Sequence, residues 1–333
     1  MATRNDDLAH RQTERKLSAL ERRIASVYRQ ASKEMQGKIE AYFLAFKERD
    51  ETQRAAMEAG EITKQEYINW RLSQMARGER YMALRDALAE RMTKANEAAV
   101  AYINDATPGI YSLNRNYAAY TIEKVGGNIG FTLYDESTVR RLLQKSPRLM
   151  PYYPKKKAVA RGIDLAWGRR QIRAQITSSI LQGESIPDIA KHLMQRIPEM
   201  NKASAVRTAR TAVTSAQNGG RLASYEKADQ MGIKVRKVWI ATKDGKTRRD
   251  HRRLDGEAVD WDEEFSNGLR YPGDPSGKPE EVYNCRCSMR TEISKKYEAE
   301  SRQMRVRDPK TGRNVLVNEM TYAEWERWVK DRE

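Results

Sequence analysis

Cysteine is scarce in this chain, with two in 333 residues. That is too few for disulfides to hold the fold. Histidine is nearly as scarce: His10, His192 and His251 lie far apart, so no two neighbours suggest a paired-histidine active site. Long apolar runs are missing as well. No stretch approaches the ~18 uninterrupted apolar residues of a spanning helix, which argues against an integral membrane protein. The first nine residues lack the apolar core of a secretory signal, so a reducing cytosol, or something assembled there, is the expected setting. No glycine loop of the phosphate-cradling type occurs, and no helix-turn-helix, zinc-finger or aromatic RNA-binding signature.

What is abundant is charge. Lys and Arg number 62 against 46 Asp and Glu, a formal net charge of +16, and the mean hydropathy is −0.85. Six Trp, sixteen Tyr and regularly spaced aliphatics nevertheless suffice to build a core, which excludes low-complexity disorder. The positive charge is clustered. Residues 155–173 carry seven basic side chains and one acid, Asp164, and residues 234–253 carry nine and two. Closely set cations release counterions together, so a polyanion partner is expected, either DNA or an acidic protein. Lys155, Lys156, Lys157, Arg169, Arg170, Arg248, Arg249, Arg252 and Arg253 are the candidate nucleic-acid contacts. Without a base-reading motif, such contacts would go to phosphates.

The patterning predicts a mainly α fold: long amino-terminal helices plus a small α+β carboxy-terminal module. Leu17, Leu20, Ile24, Val27, Ala31, Met35, Ile39 and Tyr42 step by three or four and trace one stripe. Gly60 ends that pattern, and Thr63 with Glu66 has capping-box spacing. A second helix follows through Tyr67, Trp70, Tyr81, Leu84, Leu88, Met92, Ala95 and Ala99, and is expected to stop before Pro108–Gly109. Shorter helices are expected over 135–145 and 164–181, then one opened by Ser185 and Pro187, then a long one over about 201–231. Strands are expected at 233–240 and 285–293, separated by a turn at Asp244–Gly245, helical turns over 247–254 and a loop over 255–283. The domains read as 1–150, a helical arm or bundle; 158–295, the module; and 296–333, a polar tail with a short helix at 322–329. The boundary falls in the Pro/Lys-rich residues 147–157.

The most informative segment runs from Trp239 to Cys287. It holds Asp244, Arg248, His251, Asp255, Gly256, a Tyr271-Pro-Gly-Asp run, and Asn284-Cys285-Arg-Cys287. In a strand, residues two apart face the same side, so both thiols would enter one space. With His251 and a carboxylate they could complete a four-ligand zinc site. Two other readings stay open. The cysteines could be small buried hydrophobes beside a hydrogen-bonded histidine. Alternatively, His251 could serve as the acid/base of a nuclease or toxin-like effector.

Taken in order, these pieces resemble a known family. The helix carrying Arg207–Thr211, Gln217, Asn218 and Arg221, then Trp239, Asp244, Arg248, His251, Asp255, Gly256, the Tyr271–Asp274 run, Asn284, Cys285 and Cys287, resembles the phage Mu F-like head-morphogenesis proteins. The resemblance covers roughly residues 160–295. It implies a minor capsid protein, a virion component in the phage head interior that is assembled in the host cytoplasm. The implied partners are the portal protein, capsid or scaffold proteins and packaged DNA, with no membrane. It implies no catalytic residue, no cofactor is expected beyond the candidate zinc, and the signature residues are expected to hold a loop-rich module together.

Overall fold

A computed structural model describes residues 7–124, 131–145, 161–293, 303–307, 314–318 and 322–331. In chain order the elements are α1 (Leu8–Leu44), α2 (Lys47–Glu58), α3 (Lys64–Met75), α4 (Gly78–Lys124), α5 (Glu136–Lys145), α6 (Arg161–Leu181) and α7 (Ile186–Gln230). Then follow β1 (Val235–Ile240), α8 (Arg249–Arg253), β2 (Ala258–Asp260), α9 (Pro279–Val282), β3 (Ser288–Ile293), β4 (Gln303–Arg307), β5 (Asn314–Asn318) and α10 (Tyr322–Lys330). The fold is mainly helical with a small antiparallel sheet near its carboxy-terminal end, as the patterning predicts. No helix among the described residues is long and apolar enough to cross a membrane.

The chain divides into two compact units that are each discontinuous in sequence. Unit 1 takes the described parts of Met1–Leu20, Ile103–Tyr153 and Arg207–Glu333, and unit 2 those of Glu21–Tyr102 and Pro154–Val206. The boundary read at 147–157 lies outside the described residues.

Unit 2 is a helical assembly. Its part of the α1 stripe is buried at Ile24, Tyr28, Ala31, Met35, Ile39 and Tyr42. Tyr28 takes the inward place expected of Val27, which is half-buried. Tyr28 also gains a partner there, donating to Asn96 Oδ1 at 2.6 Å, while Asn96 donates to Asp164 and Asn201. Buried Asp50 pairs with fully buried Arg71 at 2.9 Å and accepts from Tyr67. Arg71 also reaches the Glu184 carbonyl at 2.6 Å. The capping box at Thr63 and Glu66 forms as the spacing predicts.

Helix limits differ from the sequence reading at several places, first where α1 ends at Leu44 and α2 begins at Lys47 instead of one pattern running to Gly60. Gly78, with φ +84°, separates α3 from α4, which the periodicity alone would join. Conversely, α4 continues through Pro108 and α7 through Pro198. A proline inside a helix removes one donor to the carbonyl four residues earlier. For Pro198 that carbonyl is Met194, and the Ser32 hydroxyl donates to it at 3.3 Å. Around Pro108, Thr107, Ile110 and Tyr111 are all buried, so tertiary packing holds the helix past its breaker.

Unit 1 sets the carboxy-terminal parts of α4 and α7 against a three-stranded sheet of order β2-β1-β3, all antiparallel. β1 pairs with β3 from Val235↔Ile293 to Ile240↔Ser288. One core gathers Ala118, Ile122, Tyr225, Val235, Tyr271, Met289 and Trp325. The tail adds an antiparallel β4-β5 pair absent from the sequence reading, and the expected terminal helix. Trp325 of α10 is fully buried, its ring 5.6 Å from that of Tyr120.

The Gly219–Gly220 pair leaves α7 unbroken and serves close packing. A Cβ on Gly220 would lie 2.5 Å from the Tyr111 carbonyl oxygen and 3.2 Å from the Arg115 amide nitrogen, both backbone atoms of α4. Gly220→Ala is therefore expected to cost about 1–3 kcal/mol, because two helix backbones must separate. Exposed Gly37 of α1 has nothing within 4 Å of its Cβ position. Gly37→Ala should stabilise by about 0.5–1 kcal/mol. Urea unfolding of both variants checks the pair, and equal effects at the two sites would contradict the packing account.

Candidate functional site

The site begins with one face of α7. Thr211, Thr214, Asn218, Arg221 and Tyr225 recur every three or four residues, so they line one side of the helix. Each meets the chain entering or forming β3. Thr211 Oγ1 accepts from the Asn284 amide at 2.9 Å. Thr214 donates to the Cys285 carbonyl at 2.6 Å. Asn218 donates to the Cys287 and Pro272 carbonyls and accepts from the Met289 amide. Arg221 donates to the Met289 carbonyl at 2.5 Å, and Thr291 donates to Tyr225 at 3.1 Å. A helix face of period 3.6 is thereby stitched to a segment read on alternate residues. These bonds satisfy backbone groups that a buried, irregular segment leaves orphaned.

The loops are pinned in the same manner. Asp255 accepts from the Ala241 amide at 3.0 Å, and Gly256 turns the chain at φ +88°. Asn284 occupies the left-handed region at φ 58°, which asparagine tolerates. Asp244 accepts from Lys246, Thr247 and Arg286, and the Arg286 guanidinium holds its carboxyl far below the ordinary range. Arg248 donates to the Tyr283 carbonyl. Asp274 is fully buried and collects Arg270 and Ser276. Lys237, also fully buried, donates to the Trp261 and Glu263 carbonyls, and burial pulls its ammonium down to about 8.

At the centre of these loops sit His251, Cys285 and Cys287, exposed by 1%, 2% and 4%. His251 Nδ1 lies 3.7 Å from Cys285 Sγ and 3.6 Å from Cys287 Sγ. The three ligand atoms lie within 4.8 Å of one another. On the far side of the ring, Nε2 lies 2.8 Å from Glu281 Oε2. The His251 ring meets Trp239 edge-on at 5.3 Å, and Trp239 meets Phe265 at 5.0 Å. Leu254, Leu269 and Val282 complete an apolar shell. A hydrogen bond from Cys285, aided by His251, holds the Cys287 thiol well below its ordinary range, while Cys285 is pushed up by the same bond and by burial. Burial alone would lower His251, but its bonds to Cys287 and Glu281 raise it instead.

The thiols do converge, though not through a strand. β3 begins at Ser288, and the Cys-Arg-Cys segment precedes it as a loop held by Thr214 and Asn218. Glu281 was not legible in the sequence: thirty residues separate it from His251, and no spacing rule connects a one-turn helix to it. Of the basic candidates, Arg169 and Arg170 lie exposed on α6 in unit 2, with Arg169 paired to Asp86 at 3.0 Å. Arg249, Arg252 and Arg253 lie exposed on α8 in unit 1. Arg252 also donates to the Thr247 carbonyl, and Lys155, Lys156 and Lys157 fall outside the described residues.

Residues 170–290 match the family described as Phage Mu protein F like protein. The chain is 26% identical over 250 residues to Minor head protein GP7 of Bacillus phage SPP1, covering 74% of this chain and 77% of that protein. It is also 35% identical over 121 residues to the NAD(+)--arginine ADP-ribosyltransferase EFV of Enterococcus faecalis, covering 36% of this chain but only 25% of that protein. No solved structure matches the chain.

Proposed function

We propose, for a chain whose residues 170–290 match the Phage Mu protein F like family, a low-copy component of a tailed-phage or prophage head, added during procapsid assembly beside the portal. The observation that carries this reading is the likeness to Minor head protein GP7, which extends along 77% of that protein and so well beyond the 170–290 match. The site supports a structural role. Its polar side chains are spent on backbone groups and on one another, as in a module built to hold its shape.

Crosslinking of isolated proheads tests the placement. Lysines of this protein are expected to crosslink to the portal protein more often than to the major capsid shell. A crosslink map confined to the shell would overturn the portal reading.

The exposed arginines of α8 support a second element of the proposal, contact with packaged DNA through phosphates. Affinity for duplex DNA should fall steeply with salt. Removing Arg249 and Arg253 together, each to Gln, should reduce the log–log salt slope by about 2. An affinity indifferent to salt would exclude this contact.

The competing effector reading draws on the stretch shared with the ADP-ribosyltransferase. His251, however, is 1% exposed, with one ring nitrogen on Glu281 and the other between two sulfurs. An acid/base group for a phosphodiester must reach its substrate, and this one is closed off. Incubation with DNA and RNA, with and without divalent metal, should leave both intact.

A further inference from the structure

We propose that His251, Cys285 and Cys287 form a structural zinc site, with Nδ1 and the two thiolates as ligands and Glu281 orienting the imidazole from behind. The first argument is geometric. Tetrahedral zinc, with Zn–N of about 2.05 Å and Zn–S of about 2.3 Å, places each sulfur about 3.6 Å from the nitrogen. Here the separations are 3.7 and 3.6 Å. A single N–H···S bond does not set this symmetry, because one ring nitrogen carries at most one proton and directs it at one acceptor. Two sulfurs equidistant from one nitrogen fit an ion shared by all three.

The second argument is the tautomer. A ligating histidine usually donates its other N–H to a carboxylate or carbonyl, which leaves the ligating nitrogen's lone pair free. Glu281 stands 2.8 Å from Nε2 and is itself approached by Asn267 Nδ2 at 3.4 Å. Nε2–H therefore donates to the carboxylate, so an ion that displaces the Nδ1 proton shared with Cys287 finds the Nδ1 lone pair facing the sulfurs.

The third argument is charge and setting. Two buried thiolates beside Trp239, Phe265 and Leu254 would be costly on their own. A divalent ion neutralises both. Two sulfurs and one imidazole select zinc over the hard cations magnesium and calcium, which prefer oxygen ligands. Among the described residues the ligand group comprises these three side chains, so a water or a backbone oxygen takes the fourth position. The ion would join α8, the turn after α9 and the approach to β3, in a region otherwise held by short elements and loops. This inference stands independently of the virion role.

The test is elemental analysis of the full chain purified without added metal, followed by reconstitution. About one equivalent of zinc per chain is expected, and Cys287→Ser should lose most of it. Cobalt replacement should give sulfur-to-cobalt charge-transfer bands together with the visible bands of a tetrahedral ion. Chelation of the wild-type protein should lower its melting temperature, and zinc should restore it, so the test does not depend on a variant that folds. Glu281→Gln should keep the fold but weaken zinc affinity about 10–100-fold. Metal-free protein with unchanged stability under chelation, and no cobalt–sulfur bands on reconstitution, would overturn the proposal.

Discussion

Arg221→Met should destabilise unit 1 by about 3–5 kcal/mol, the range for breaking a buried ion pair by removing one partner. Arg221 is 3% exposed. Its guanidinium pairs with Asp7 at 2.6 Å, donates twice to Asn114 Oδ1 at 3.1 Å and reaches the Met289 carbonyl at 2.5 Å. One residue of α7 thereby fastens the start of α1, the carboxy-terminal part of α4 and β3. Methionine fills much of the volume but leaves a carboxylate and two acceptors unanswered.

Part of the loss should be recoverable. Adding Asp7→Asn to Arg221→Met removes the stranded charge, so the double variant should be more stable than the single one. Burial alone would raise the Asp7 carboxyl, but the Arg221 charge and hydrogen bond outweigh it and hold it below its ordinary 3.8. A carboxyl lowered in the fold contributes fully above its unfolded value and loses that contribution as pH falls through the lowered one. Wild type should therefore show an acid limb below about pH 4 that the Arg221→Met variant lacks. Urea unfolding with hydrogen exchange read at β1 and β3 measures both effects. A loss under about 1 kcal/mol would mean that Arg221 is not the pin described.

The second large effect is a pH dependence of opposite sign. Glu123 is 2% exposed and accepts from Trp325 Nε1 at 2.7 Å. Burial raises its carboxyl from 4.5 to about 8, and the bonds from Trp325 and the Phe131 amide only partly oppose this. Between those values the folded protein holds a proton that the unfolded chain has released. Stability must then fall as pH rises from about 4.5 to 8. At about 1.4 kcal/mol per pKa unit the loss approaches about 4 kcal/mol by pH 8. Glu123→Gln keeps the shape and the acceptor for Trp325 without the ionisation. Its stability relative to wild type should be near zero at pH 5 and should grow to several kcal/mol at pH 8. A difference that does not change over that range would contradict the assignment.

These two residues also show what the sequence makes legible. Arg221 belongs to a motif recognisable in order, and its spacing from Thr214 and Asn218 already places the three on one helix face. Its partners were not readable, because Asp7, Asn114 and Met289 are brought together only by the tertiary fold. The stripe along α1 was legible from its period, apart from the exchange of Val27 for Tyr28. Local breaking tendency predicts an end before Pro108, and two helices are expected where α7 runs unbroken from Ile186 to Gln230, whereas tertiary packing carries each helix through its internal proline. At the candidate metal centre the convergence of His251, Cys285 and Cys287 was foreseeable from composition and spacing. The Glu281 carboxylate was not, since it arrives from a separate one-turn helix. Glu123 gave no signal at all, because a glutamate near a helix end normally faces water.

The most direct test of the central claim is to count the protein in the particle. Quantitative mass spectrometry of purified proheads and mature particles from the source should find a few copies per particle, far below the major capsid protein. Absence from both would contradict a minor head protein.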